Sequence, residues 1–183
     1  MSGRQGGLHP DVRAFITRAL KANRDLLPGR VVEFGAFIMH GHDPRPLFPG
    51  WEFVGVDARE GPGVDVVGMA HEVDVGFADV VLSLQTLEHD AHWKETVCAM
   101  VRVVQRGGLI VVTCAGDGWP NHDPEASPVA GHYRNVGLEE LEDEVRAACG
   151  DYGVVLSALF TLAIPSGNGR MRTCLWARIG EAV

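Results

Sequence analysis

Val31–Gly41 reads VVEFGAFIMHG, and Phe53–Gly61 reads FVGVDAREG. Each opens on β-prone apolar residues and brings an acid to its end, Glu33 ahead of Gly35 in the first and Asp57 in the second. A short apolar run closed by a glycine turn is the pattern of a strand buried on both faces in a parallel sheet. Val31–Phe34 and Trp51–Asp57 are therefore read as the first two strands. Asp57 stands 22 residues after Gly35. In an open parallel sheet, an acid about 20 residues past the first glycine turn is placed to hold ribose hydroxyls.

The flanking sequence continues the alternation. Val64–Val67 is a third, brief strand, and Phe77–Leu84 contains the buried run Val80-Val81-Leu82. Trp93, Val97, Met100, Val101 and Val104 then recur at helical spacing, with Gly107-Gly108 as the stop. Leu109–Thr113 (LIVVT) is a fifth strand, and Leu138–Cys149 is an amphipathic helix ended by Gly150. Val154–Ile164 and Thr173–Ile179 close the chain as a hairpin across Pro165-Ser166-Gly167-Asn168-Gly169. Upstream, Val12, Phe15, Ile16, Ala19, Leu20 and Leu27 mark a first helix that Pro28-Gly29 terminates. The crossover after the first strand is the poorest helix former, because 43–50 (DPRPLFPG) carries three prolines. These elements predict an α/β fold: a Rossmann-like three-layer sandwich whose seven-stranded sheet is mostly parallel with a C-terminal antiparallel hairpin. Residues 1–9 are expected to be a flexible start and 10–183 a single domain.

Composition narrows the partners. The 183 residues include 16 Lys+Arg against 24 Asp+Glu, a net charge of −8. Such a chain repels a phosphate backbone and an anionic lipid surface at long range. No apolar stretch approaches the roughly 20 residues of a membrane span, and MSGRQGGLHP has no signal-like apolar core. A cytoplasmic protein with a small-molecule substrate is expected, without membrane or nucleic-acid partners. Cys98, Cys114, Cys149 and Cys174 form no Cys-x-x-Cys pair and read as reduced thiols.

Ligands of such sheets bind beyond the carboxyl ends of the strands, where the strand order reverses. Glu33 to Ala36, Asp57, Gly68 to His71 and Ser83 to Asp90 should meet there. A dinucleotide would need G-x-G-x-x-G, so that backbone can approach a pyrophosphate. Phe37 occupies the second glycine position. No Gly-Lys-Ser/Thr phosphate loop occurs either. S-adenosylmethionine carries no phosphate and tolerates a bulkier loop, and its amino-acid and sulfonium groups suit a nearby acid.

Taken in order, VVEFGAFIMHG, FVGVDAREG, GMAHEV, FADVVLSLQTLEH and VVQRGGLIVVTCAG resemble the successive motifs of class I S-adenosylmethionine-dependent methyltransferases, nearest the small "LEH" type. The resemblance spans about Val31 to Gly116. It implies that Glu33 and Gly35, with Ala36 and Phe37, form the loop at the cofactor's amino-acid end. It places Asp57 on the ribose, Ala58 along the adenosine, Met69 and Ala70 beside adenine, and Ser83 and Leu84 beneath the methionine part. Phe37 and Met39 replace glycines usual in the family, and Met69 replaces a frequent Asp. A binding or scaffold protein that has lost turnover is therefore the second reading, and a nicotinamide oxidoreductase the third.

A hydroxyl acceptor would need a base, and His89 after the fourth strand and His132 are the candidates. Glu88-His89 reads equally as a solvated helix start. His71, His89, Asp90 and His92 follow no fixed ligand spacing, so no metal is assigned. Gly116–Val136 has no helical or strand period and carries Trp119, His122, His132, Tyr133 and Arg134. A segment of this length in a compact domain reads as a lid or substrate loop.

Overall fold

The β-branched runs pair into one seven-stranded sheet in the order β3-β2-β1-β4-β5-β7-β6. The computed structural model describes residues 8–39, 41–121 and 132–180. The strands are β1 (Arg30–Phe34), β2 (Glu52–Asp57), β3 (Val66–Val67), β4 (Ala78–Leu84), β5 (Val104–Ala115), β6 (Leu156–Pro165) and β7 (Met171–Ile179). The ladders β1–β2, β2–β3, β1–β4 and β4–β5 are parallel, while β7 runs antiparallel to both β5 and β6.

The predicted sandwich is what forms. Helix α1 (Pro10–Ala22) places Val12, Phe15, Ile16 and Ala19 on one face of the sheet, against Val31, Val80, Leu82, Leu109 and Val111. Helices α2 (Trp93–Val103) and α3 (Leu138–Asp151) cover the other face, where Met100, Val97, Leu141 and Val145 meet Val32, Val81, Ile110 and Leu175. Alternate residues of β4 and β5 thus enter opposite cores, which explains their unbroken apolar runs. Each large side chain so buried contributes about 1.5–3 kcal/mol. Among the described residues no helix is long and apolar enough to cross a membrane. All four cysteines are free, with Cys114, Cys149 and Cys174 buried and Cys98 partly so.

Three local readings change. Gly107-Gly108 does not end α2. Val104 is already extended and pairs with Ala78, and the next aligned pair is Val80 with Leu109. The two glycines sit in the bulge between those pairs, where Gly107 takes φ +72°. The proline-rich crossover after β1 forms a single 3-10 turn, Arg45–Leu47. Phe48 then covers β1 and β2 with edge contacts to Trp51 and Phe53. Of the expected flexible start 1–9, residues 1–7 lie outside the described ones. Leu8 is buried, and His9 Nδ1 accepts from Asp11 N to cap α1.

The segment after β5 is described only at its ends, since 122–131 lie outside the described residues. Those ends are fastened. Trp119 Nε1 donates to Met171 O (2.8 Å) and Asn135 Nδ2 to Trp119 O (3.1 Å). Arg134 pairs with Glu140 and lies over the Trp93 ring.

Central burial predicts a sharp contrast between β4 and the exposed residue ahead of β6. Leu82→Ala should lower unfolding free energy by about 2–5 kcal/mol. Val155→Ala, on an exposed side chain, should change it by less than about 0.5 kcal/mol. Urea denaturation of the two variants checks this, and equal effects would contradict the assignment of β4 to the core.

Candidate functional site

Strand order reverses at β1, which has β2 on one side and β4 on the other. Phe34 aligns with Val56 in β2 and with Ser83 in β4, so the three strands end at one height. A cavity of about 350 Å³ opens beyond those ends, at the lower end of the range typical of small-molecule sites. Glu33, Gly35, Phe37, Asp57, Ala58, Met69, Ala70, Leu84 and His89 all line it, as the motif order implied.

Ala36 and Ser83 do not. Ala36 packs over β2 at Gly55, where an added Cβ would lie 2.8 Å from its own. Ser83 is fully buried one residue short of Leu84, and its Oγ has no hydrogen-bond partner. Nor is His132 among the lining residues; it is partly buried, with Nε2 unpartnered.

Gly35 is required by both conformation and space. Its φ is +88°, and a Cβ there would stand 2.0 Å from Thr86 Oγ1. The loops after β1 and β2 interlock around Asp57. Its Oδ2 accepts from Phe37 N (3.1 Å) and its Oδ1 from Arg59 N (3.0 Å). Arg59 lies 4.3 Å above the Phe37 ring centroid. The ring itself lies against Gly61, the one residue type that leaves room for it. Phe37 thus turns onto the neighbouring loop, and both Asp57 oxygens keep lone pairs for further donors.

Glu33 is 4% exposed, and its Oε2 has no hydrogen-bond partner. Burial pushes its carboxyl up to about 8, the nearby Arg45 opposing and Asp43 and Asp57 adding to the rise. A second buried acid went unrecognised. Glu88, read as solvent-facing or catalytic, is 1% exposed and lines the cavity. Its Oε1 accepts from Ala115 N (3.1 Å), while Oε2 is unpartnered. Burial raises its carboxyl to about 7, against hydrogen bonds from its own and the Ala115 backbone and the charge of Arg172. His89 beside it stacks at a tilt on Tyr133, with centroids 5.4 Å apart. Asp90 serves α2, accepting from His92 N (2.8 Å) and Thr96 Oγ1 (2.6 Å). The His71 and His92 rings lie 4.6 Å apart. Among the described residues no group of three or more His, Cys, Asp and Glu side chains is placed to hold a metal.

Gln85 and Thr86 line the cavity within the segment expected there, and Leu8 and Val12 line it without having been anticipated. Gln85 adopts φ +56°, rare for a residue with a side chain, and its N–H donates to Thr113 O (2.6 Å). Buried carboxylates, a left-handed glycine cradle and an apolar wall suit a polar, partly cationic ligand with an apolar body.

No protein family matches the chain by sequence, and no curated protein does. Solved structures do match by shape. Burkholderia thailandensis 1,6-didemethyltoxoflavin-N1-methyltransferase, holding its substrate and S-adenosylhomocysteine, superposes with TM-score 0.66 at 19% identity, over 93% of this chain and 79% of that one. An S-adenosylmethionine-dependent methyltransferase from Clostridium acetobutylicum gives 0.62 at 10% identity, over 92% and 90%. Haemonchus contortus phosphoethanolamine N-methyltransferase 2 with S-adenosyl-L-methionine gives 0.65 at 14%, over 94% and 52%. At these identities the likeness bears on the fold: the chain has the fold of the class I S-adenosylmethionine-dependent methyltransferases.

Proposed function

We propose that the protein is an S-adenosylmethionine-dependent methyltransferase acting on a small-molecule acceptor. The observation that carries this reading is the meeting of Glu33 and Asp57 in one open cavity at the switch point of the sheet. Two of the three superposed enzymes were crystallised with S-adenosylhomocysteine or S-adenosylmethionine. The residues fit that cofactor. The orphaned Glu33 Oε2 lies where positive charge would relieve its burial, and Gly35 keeps the backbone accessible. Asp57 would take ribose hydroxyls, with Ala58, Met69 and Ala70 along the base. A nicotinamide reading is disfavoured by Phe37, which stands where a pyrophosphate-binding loop needs glycine.

When bound, S-adenosylmethionine supplies an electrophilic methyl and a neutral thioether leaving group. The chain's own part is alignment and proton handling, and alignment alone is worth several kcal/mol. His89, on the cavity wall just beyond β4, would accept the acceptor's proton as its lone pair forms the new bond. His132, off the lining, is the weaker candidate. Leu8, Val12 and Leu84 would exclude water from the acceptor side.

Three outcomes follow. At about 100 times its dissociation constant, S-adenosylhomocysteine should stabilise the protein by about 2.7 kcal/mol, whereas NAD should not. Asp57→Ala should weaken S-adenosylhomocysteine by roughly 10- to 100-fold in calorimetry, as loss of a charge-assisted hydrogen bond requires. Stabilisation by NAD alone would reverse the reading, and cofactor binding without methyl transfer to any acceptor would favour a non-catalytic binder. His89→Ala should slow methyl release by about 10²- to 10⁴-fold at unchanged S-adenosylhomocysteine affinity; unchanged turnover would remove His89 from the mechanism.

A further outcome concerns pH. Glu33 holds its proton in the folded protein up to about 8 but loses it near 4.5 when unfolded. Between those values the folded state binds more protons, so this group's stabilising contribution is present below pH 4.5 and fades as pH rises to 8. Glu33→Gln should therefore gain stability relative to wild type progressively from pH 5 to 8 in cofactor-free urea titrations. A gap that does not change with pH would contradict the burial of an uncompensated carboxyl.

A further inference from the structure

Among the described residues four acidic side chains line the cavity, Glu33, Asp57, Glu88 and Asp90, against one guanidinium, Arg59. Glu33 holds its proton up to about 8, so the field of like sign that an anionic acceptor enters comes from the other acids. Three of the four are accounted for. Asp57 is clasped by two backbone N–H groups, Asp90 accepts from His92 N and Thr96 Oγ1 at the start of α2, and Glu33 sits near the end of β1, on the side assigned above to the cofactor. Glu88 is different. Its 3-10 turn, Leu87–His89, carries it past the end of β4 towards β5, and Ala115 N occupies only one of its oxygens. The other is buried and unpartnered, in a residue that lines the cavity. A buried oxygen without a partner costs about 1–3 kcal/mol and more when charged, so a ligand that donates to it recovers that cost.

The groups around Glu88 leave this oxygen available. Arg172, 3% exposed at the start of β7, offers its charge, but its guanidinium contacts His9 Nδ1 (3.1 Å) and lies over Trp119. Arg172 is not among the lining residues, so it stabilises the carboxylate from behind without filling the acceptor's place. The Tyr133 hydroxyl donates to Asn135 Oδ1 (2.9 Å). Leu8, ahead of α1, and Val12 within it present hydrocarbon.

We infer that Glu88 is the acceptor-recognition residue and that the acceptor is an amine borne on an apolar or aromatic body, its N–H donating to Glu88 Oε2. The inference rests on the methyltransferase reading for which end of the cavity belongs to the acceptor. It adds the substrate class and the residue that selects it. An ammonium satisfies the orphan oxygen and the acidic field together, whereas a carboxylate satisfies neither and an alcohol only the first.

Benzylamine, benzyl alcohol and benzoate share a ring and differ in the head group, so they serve as probes. Their dissociation constants are measured by ligand-observed saturation-transfer NMR at pH 7, on protein with and without S-adenosylhomocysteine. Benzylamine should bind at least tenfold more tightly than either of the others to the wild-type protein. Glu88→Gln, which keeps an oxygen for Ala115 N, should reduce that preference below threefold while S-adenosylhomocysteine affinity stays within threefold. Glu88→Asp should retain part of the preference. Equal binding of the three probes, a preference for benzoate, or an amine preference that survives Glu88→Gln would overturn the inference. The wild-type comparison stands even where a variant folds poorly. Failure of S-adenosylhomocysteine to bind is read in its own titration and counts against the cofactor reading, while the amine preference is still scored on the free protein.

Discussion

Parallel register is the constraint on which the site depends. Because Phe34 sits level with Val56 on one side and Ser83 on the other, the turns after β1, β2 and β4 leave the sheet at one height. The crossover from β1 goes to one side, and β4 returns on the other. The acids at the strand ends face a common space. A slip of one residue in either ladder would turn Glu33 towards the opposite face. The apolar alternation of β4 and β5 between two helical layers resists that slip, so core packing and site geometry have the same cause.

The cavity stores electrostatic cost. Glu33 and Glu88 are both buried acids with an oxygen unmatched by protein donors. Burial holds their protons to about 8 and about 7 respectively. A protein selected only for stability would replace such groups with apolar side chains of similar volume. Their retention at the mouth of a switch-point crevice is the kind of tension found at functional sites. The left-handed Gln85, bonded through its backbone to β5, belongs to the same pattern.

Much of this was legible in the residues, and what was not has identifiable physical reasons. The apolar runs and the Gly35-to-Asp57 spacing predict the mostly parallel sheet and the acid pair, because both depend on local periodicity and on one chirality rule. Ser83 was misplaced because neighbouring residues of a strand face opposite ways, so one position separates the lining Leu84 from a buried hydroxyl. Glu88 was illegible because its burial comes from β5, whose Ala115 N–H reaches it across 27 residues of sequence. Leu8 looked like part of a frayed start, yet it is buried and lines the cavity. The bulk of Phe37 counted against a pyrophosphate loop on the motif alone. That Gly61 would receive the ring is a contact between two loops, and no single motif contains it.

A crystal structure of the protein grown with S-adenosylhomocysteine tests the central claim most directly. The account predicts both ribose hydroxyls within hydrogen-bonding distance of the Asp57 carboxylate and the ligand's amino group on the Glu33 side of the crevice. Electron density for the ligand elsewhere, or a crevice closed by Phe37 and Arg59 with Asp57 facing away from it, would contradict the account.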